Sequence, residues 1–419
     1  MSPTRIEPKL APIELDLSAA FSFETGFGRA ELLGFGPQLE LARVKLSAKA
    51  TDSCEPNTTA ANSVTQAQRL LSQYKAQRKA SVLGQILAIS KQLREVVDRV
   101  VVLAPPQFTT AANALFAACC HPLHNELSRG QRGGRPRIYL LPALPDNDAV
   151  QAMLEILPRG KQLATVDERW GIVAAGNLTG CNDDELLTGL FILLWDGLQT
   201  TTTADDEKQL AAVVAAPGSS LATLANEIGI PRIEPLAAPS LQETIHFQPG
   251  MLLAAAVMGM DIVKLLRGAA AMAKRFIDEP PGNNPALDFA GLSHLLAVRR
   301  GIYGRRIETI AGALRPTAAC ISHPRSDNDL LVQLTAQAVR HDRLRVTIPS
   351  GQTAGGHAKL VDRLLVDVAQ EQATAVKTSR INAAAPTATI QLPVIDESTV
   401  GQVIAMFSLA EEIQTHLAM

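Results

Sequence analysis

DRVVVLAPPQFTTAANALFAACC, running from Asp98 to Cys120, is the stretch whose reading decides the fold. Val100 to Leu103 form a short apolar run rich in β-branched residues. Pro105-Pro106 then stops any strand ladder, because proline has no N–H to donate. Thr109 or Thr110 is placed to cap the next segment, and Ala111 to Cys119 is rich in helix formers. The order is strand, turn, helix. In an α/β sheet such a turn lies at the carboxyl end of a strand, where ligands bind. A phosphate site in that place uses glycines, so that backbone N–H groups close on the anion. Here the turn is Ala104-Pro105-Pro106-Gln107-Phe108, without glycine. The frame of a phosphate site is present and its usual chemistry is not.

Strands and helices alternate outward from this unit. Ile138 to Leu141, Trp170 to Ala175 and Leu210 to Ala215 read as further strands. Asp146 or Asn147 caps a helix through Leu157, a long apolar helix runs from Leu186 to Leu198, and Leu221 to Ile228 ends at Gly229. Repeated strand–helix units imply a doubly wound parallel sheet with helices on both faces. Before it, Val64 to Val97 carries two amphipathic helical patterns. Thr51 to Asn62 reads as a polar linker, and Phe21 to Phe35 as a turn or hairpin.

After it, helices are expected over Met251 to Met260, Ile262 to Phe276 and Ala286 to Arg299. A strand over Arg305 to Ala311 and a helix over Leu330 to Val339 come next. A strand over Arg343 to Ile348 and a helix over Leu360 to Thr374 come after these, then a strand over Thr387 to Leu392 and a helix over Thr399 to His416. The expected fold class is α/β, with two doubly wound parallel-sheet domains. Residues 1–95 form an N-terminal extension with amphipathic helices, 96–240 the first α/β domain and 241–419 a second, shortened one.

The 419 residues suffice for two or three domains. A formal net charge of -2 provides no field to recruit nucleic acid or an anionic membrane, and 4% aromatics gives no stacking platform for single strands. The basic residues Arg69, Lys75, Arg78, Lys79, Lys91 and Arg94 read as a solvated helix face. Five cysteines, scattered and odd in number, suit a reducing, cytoplasmic compartment. The N-terminal residues lack the apolar core of a signal peptide, and no run of about 18 apolar residues is present to span a membrane.

Three clusters carry polar chemistry. Cys119, Cys120, His121 and His124 are zinc-type ligands, but Pro122 interrupts their spacing, so a helix end is expected and no metal. Gly351 to Lys359, GQTAGGHAK, is a glycine-rich turn that reads either as an anion site at a helix N-terminus or as an interdomain turn. Asp327 and Asp329 read as paired carboxylates or, preferably, as the cap of a helix from Leu330. His323 reads as a surface-loop residue.

A family resemblance emerges from Leu210 onward. LAAVVAAPGSSLATLANEIGI, then IHFQPGMLLAAAVMGMDIVKLLRGAAAMAKRF, then NNPALDFAGL, resembles the middle of glucose-6-phosphate isomerases. Met251 to Ile262, Gly268-Ala269 and Asn284-Pro285-Ala286 match that grammar. PTATIQLPVIDESTVGQVIAMFSLAEEI, from Pro386 to Ile413, is similar to the family's P-x-x-x-I-x-L-x-x-L-T-P-x-x-L-G-x-L-I-A-M-Y segment. Asp98 to Cys119 is similar to its first phosphate-loop unit, and Pro145 to Asp148 to its N-V-D-P-D segment. The resemblance covers roughly residues 96–416, with the matches in family order. It implies two sugar-isomerase (SIS) domains, a homodimer, a sugar phosphate ligand, no cofactor and a cytoplasmic setting.

The family activity is aldose–ketose isomerisation between glucose 6-phosphate and fructose 6-phosphate through an enediol. A glutamate, a histidine, an arginine and a lysine serve that step, and two loops hold the phosphate. The first loop, G-I-G-G-S in the family, falls on Ala104 to Phe108 here. The second, S-K-(S/T)-G-T-T, falls on Ala175 to Gly180, keeping Thr179 but no lysine. The arginine of G-G-R-(F/Y)-S falls at His246, with Phe247 kept and Gln248 in place of serine. Pro316 to Asp329 is too short for the glutamate segment and contains no glutamate. The histidine position falls on Leu330 or Leu331, and the lysine segment would lie beyond Met419. Loss of a general base alone lowers a rate by about 10²–10⁴-fold. The expectation is a glucose-6-phosphate isomerase-like protein with its catalytic residues replaced or deleted. The alternative is a non-catalytic sugar-phosphate-binding or scaffold homologue. Candidate catalytic residues are His246, His357 and Lys359. Candidate phosphate contacts are Gln107, Thr109, Thr179, Gly355 and Gly356.

Overall fold

A computed structural model describes residues 10–21, 28–52, 64–158, 165–176, 182–201, 207–236, 245–338, 344, 345, 347, 361–382 and 386–418. The elements begin β1 (Glu14–Asp16), α1 (Arg29–Gly34), α2 (Gly36–Asp52), α3 (Gln66–Gln77), α4 (Val82–Val96), β2 (Arg99–Ala104), α5 (Pro106–Cys119), β3 (Arg137–Pro142) and α6 (Asn147–Ile156). Then come β4 (Trp170–Ala175), α7 (Asn182–Gln199), β5 (Ala211–Val214), α8 (Ser220–Ile228), β6 (Arg232–Ile233), α9 (Pro249–Val257), α10 (Ile262–Asp278) and α11 (Pro285–Arg300). The order ends β7 (Arg305–Glu308), α12 (Arg315–Ile321), β8 (Leu330–Ala338), α13 (Leu365–Asn382), β9 (Thr387–Val394) and α14 (Glu397–Ala418).

Local chemistry sets the boundaries. Ser81 caps α4 by accepting from the Gly84 N–H at 3.0 Å, and Asp146 caps α6 from Ala149 at 3.1 Å. Gly229 ends α8 at φ 76°, a left-handed position that suits glycine.

Five parallel strands form one sheet in the order β3-β2-β4-β5-β6. Every residue of β4 and β5 is buried, as in a strand covered on both faces. The second sheet has the order β1-β9-β8-β7; β7, β8 and β9 are parallel, and β1 lies antiparallel on β9. The Gln402 amide holds β1 in place, accepting from the Ile13 N–H at 3.1 Å and donating to the Ala11 carbonyl at 3.0 Å. Helices α10 and α14 pack at close quarters: a Cβ on Gly268 would lie 2.0 Å from the Ser398 carbonyl oxygen, and one on Gly401 2.2 Å from that of Leu265. The matching family positions Gly268 and Gly401 are therefore explained by backbone approach.

Several expectations are corrected. Leu330 to Val339 is not a helix but strand β8, because β7 and β9 pair with it on both sides. Asp329 accordingly caps no helix; its carboxylate accepts the Arg325 and Ser326 N–H groups of a turn before the strand. Asp327 is ion-paired to Arg306 at 3.7 Å. The helix expected from Leu360 starts at Leu365 and continues to Asn382. Helix α1 occupies part of the supposed Phe21–Phe35 turn, and α2 runs through Thr51 and Asp52 of the supposed linker. Of the expected strand over Arg343 to Ile348, the described residues contain one isolated bridge, Arg345 to Leu364.

The loop from Arg129 to Arg137 carries four arginines. Arg129, Arg132 and Arg137 converge on Asp98, whose side chain is 1% exposed. A buried carboxylate persists only when it is paired and hydrogen-bonded, so this loop exists to neutralise Asp98 at the amino end of β2.

Candidate functional site

The chain leaves β2 toward β3 and returns to β4 on the other side, so the switch point lies between the carboxyl ends of β2 and β4. Helix α5 starts there at Pro106, earlier than the threonine caps expected from sequence. The Thr109 and Thr110 hydroxyls instead donate to the Pro106 carbonyl, both at 2.9 Å. An anion site at a helix N-terminus needs free N–H groups. Pro105 and Pro106 have none, and the Phe108 and Thr109 N–H groups donate to the Pro105 carbonyl at 2.9 and 3.1 Å. Gln107 is exposed on this first turn and Thr109 is buried in it.

The neighbouring N-terminus, that of α8, is already occupied. Ser219 accepts from Ala222, and the Asp184 carboxylate accepts the Ser220 N–H at 2.7 Å. A carboxylate thus sits where an incoming anion would bind. The first turn of α9 lies on the end of β4: a Cβ on Gly250 would be 2.7 Å from the Ala175 Cβ and 3.4 Å from Phe108 Cε1. Phe108 and Phe247 are both buried here. Among the described residues, prolines begin α5, a carboxylate fills the start of the neighbouring α8, and apolar packing covers the end of β4; residues 177–181, which join β4 to α7, lie outside them.

His246 lies in the turn Ile245–Phe247, which packs against α5 and α9. Burial lowers its pKa to about 4, against the opposing pull of the Glu411 charge. At neutral pH it is an uncharged imidazole and does not replace an arginine as a cationic clamp. Glu411 accepts from Arg305, and His323 Nε2 lies 3.3 Å from the same oxygen. Burial would raise the Glu411 carboxyl, but the His323 hydrogen bond and the Arg305 charge prevail and hold it below the usual carboxylate range. Such a carboxylate is a weak proton acceptor. His323, read from sequence as a surface-loop residue, has a side chain 55% exposed; it forms an isolated antiparallel bridge with Arg305 and is engaged by Glu411.

The structure therefore places Gln107 and Thr109 together on α5, with His246 in the turn that packs on that helix. Thr179, Gly355, Gly356, His357 and Lys359 lie outside the described residues. In the cysteine–histidine cluster, His124 Nε2 is 2.9 Å from the Pro136 carbonyl and its ring meets Phe116 edge-on. His121 Nδ1 accepts the Leu123 N–H. Among the described residues no group of three or more metal-type side chains comes together, and no helix is long and apolar enough to cross a membrane. Sequence reasoning missed Arg305 and Glu411, which are 106 residues apart. One signal was available: Glu411 stands on the apolar stripe that Phe407 and Ala410 define on α14.

No family model matches the chain. Over 221 residues it is 28% identical to a glucose-6-phosphate isomerase of Carboxydothermus hydrogenoformans, a match covering 52% of this chain and 44% of that one. The match spans less than half the length of that curated relative. Among solved structures, a hypothetical protein of Thermus thermophilus superposes with a TM-score of 0.74 at 17% identity, covering 97% of this chain and 94% of the other. A glucose-6-phosphate isomerase of Chlamydia trachomatis superposes at 0.60 with 10% identity, covering 91% and 80%. The chain shares the fold of both structures, a mixed α/β architecture of parallel sheets and helices.

Proposed function

We propose that this chain is a non-catalytic, sugar-phosphate-binding relative of the glucose-6-phosphate isomerases. The observation that carries the reading is the described part of the switch point, where the usual anion-binding groups are replaced. Two prolines remove amides from the start of α5, Asp184 fills the start of α8, and α9 is packed onto the end of β4. The distant similarity to an isomerase supports the ligand class. The chemistry of the described candidates supports the loss of turnover. His246 is neutral and enclosed, and Glu411 is ionised and held by two partners, so neither is poised to move a proton between adjacent sugar carbons.

The test is a coupled assay for conversion of fructose 6-phosphate to glucose 6-phosphate, run beside an identically purified empty-vector control. No rate above the control is expected, together with a raised melting temperature in glucose 6-phosphate. Saturable turnover that disappears in His246→Gln would overturn the reading.

A further inference from the structure

We propose that a second pocket, at the amino ends of β7 and β8, binds a small polyhydroxylated anion: a sugar phosphate or a sugar acid. Its preference for an anion stands on the pocket alone, while the sugar skeleton rests on the non-catalytic reading above. The cavity measures ≈ 830 Å³ and lies on the opposite edge of the strands from the carboxyl ends, where ligands of such sheets are usually held.

Its charge is lopsided. Glu411 is the one carboxylate among the lining residues, and Arg305 and His323 already hold it. Arg325 also lines the pocket and makes no ion pair with the described residues. Its planar fork of donors matches a phosphate or carboxylate. Gln414 adds a second donor: its Nε2 is buried and has no hydrogen-bond partner among the described residues. Rotation of the amide toward the cavity would let a ligand oxygen satisfy it.

The arm that carries Arg325 is fixed. Asp329, 1% exposed, accepts the Arg325 N–H at 2.6 Å and the Ser326 N–H at 3.1 Å. Gly304 makes room for it, since a Cβ there would stand 2.2 Å from Asp329 Oδ1. At the rim, Tyr303 is 76% exposed and Val298 69% exposed. Together they offer an apolar ledge to the C–H face of a sugar ring. An exposed arginine at the pocket, an orphaned amide and an apolar ledge together suit a polyol with one anionic end.

Calorimetric titration of the full chain at low salt tests this, with glucose 6-phosphate, gluconate, inorganic phosphate and glucose as probes. Saturable binding of either charged sugar is expected, with glucose and inorganic phosphate each at least about tenfold weaker. Whichever charged sugar binds more tightly identifies the anionic end. Arg325→Ala should weaken that ligand about 10- to 100-fold, the range of a lost charged hydrogen bond. Gln414→Leu should weaken it by a smaller factor, and Gln151→Ala, on the exposed face of α6, should leave it unchanged. Melting curves of the variants confirm that they are folded. No binding by either charged sugar, glucose binding equal to its phosphate, or affinity unmoved by both pocket variants would overturn the proposal. Inorganic phosphate binding as tightly as the sugars would overturn it too, leaving an adventitious ion only. Turnover in the coupled assay would defeat the non-catalytic reading and with it the ground for the sugar skeleton; the preference for an anion would still be read separately, from the effect of Arg325→Ala.

Discussion

The five-stranded sheet and the four-stranded sheet differ in what lies on their second face. In the first, β4 and β5 are buried along their whole length and the strands are unbroken apolar runs. In the second, Leu330, Val332 and Leu334 point to an apolar core, while Leu331, Gln333, Thr335 and Gln337 take the other face, which is buried at Leu331 and Gln333, more polar along its length and exposed by Gln337. Helix α13 lies over that polar face, touching it through the Gln333 amide, which donates to the Ala373 carbonyl at 3.2 Å. None of the described side chains of α13 is buried. Each sheet also has an ionic cluster at its amino edge. Asp98 is sealed, with its side chain 1% exposed; Glu411 is 29% exposed and opens on a pocket. The same grouping of carboxylate and cations holds a loop in one half and lines a cavity in the other. What separates the two roles is whether solvent reaches the cluster.

The largest expected effect breaks or upholds this contrast directly. Asp98→Ala leaves Arg132, whose side chain is 0% exposed, buried without its partner. The expected loss is about 3–5 kcal/mol, read from urea denaturation. Glu411→Gln, at an open cluster, should lose clearly less; equal losses would erase the distinction.

A second effect concerns pH. His246 has a folded pKa of about 4 against an ordinary 6.5, so between these values the unfolded chain binds more protons. Stability from this group is full above pH 6.5 and is lost as pH falls toward 4, by about 3 kcal/mol at roughly 1.4 kcal/mol per unit. Asp288 works the other way: burial raises its pKa from 3.8 to about 6, so it gains stability as pH falls through that window. Chemical denaturation across pH should show a shallower acid loss in His246→Gln and a steeper one in Asp288→Asn. A slope that ignores His246→Gln would mean the imidazole is not enclosed.

The third effect sharpens the account of the second half. Gly268→Ala drives a methyl group against the Ser398 carbonyl and should cost about 1–3 kcal/mol, seen as a lowered melting temperature. A neutral outcome would shift the weight from the α10–α14 layer to the sheet itself.

Much of the first sheet was legible because β-branched, uninterrupted runs such as Val100 to Leu103 allow few other readings. Strand β8 was misread for a definite reason. LLVQLTAQA is made largely of leucine, alanine and glutamine, which favour helices, and those preferences outweighed a two-residue alternation that was present. The proline-blocked turn could be read directly, since proline lacks an N–H in any context. The Arg305–Glu411 pair could not, because its 106-residue separation is closed only by the tertiary fold. Likewise, nothing in the loop around Arg132 announces that its charge belongs to Asp98.

The edge position of β1 sets a timetable for synthesis. The last strand of the five-stranded sheet ends at Ile233, so that sheet has all its strands once that residue clears the ribosome. Glu14, Leu15 and Asp16 must wait for their partners Gln391, Ile390 and Thr389. At about 5–20 residues per second, that delay is roughly 10–30 s. Through that interval the five-stranded sheet has all its described strands, while the earliest of the described strands is still an open ribbon.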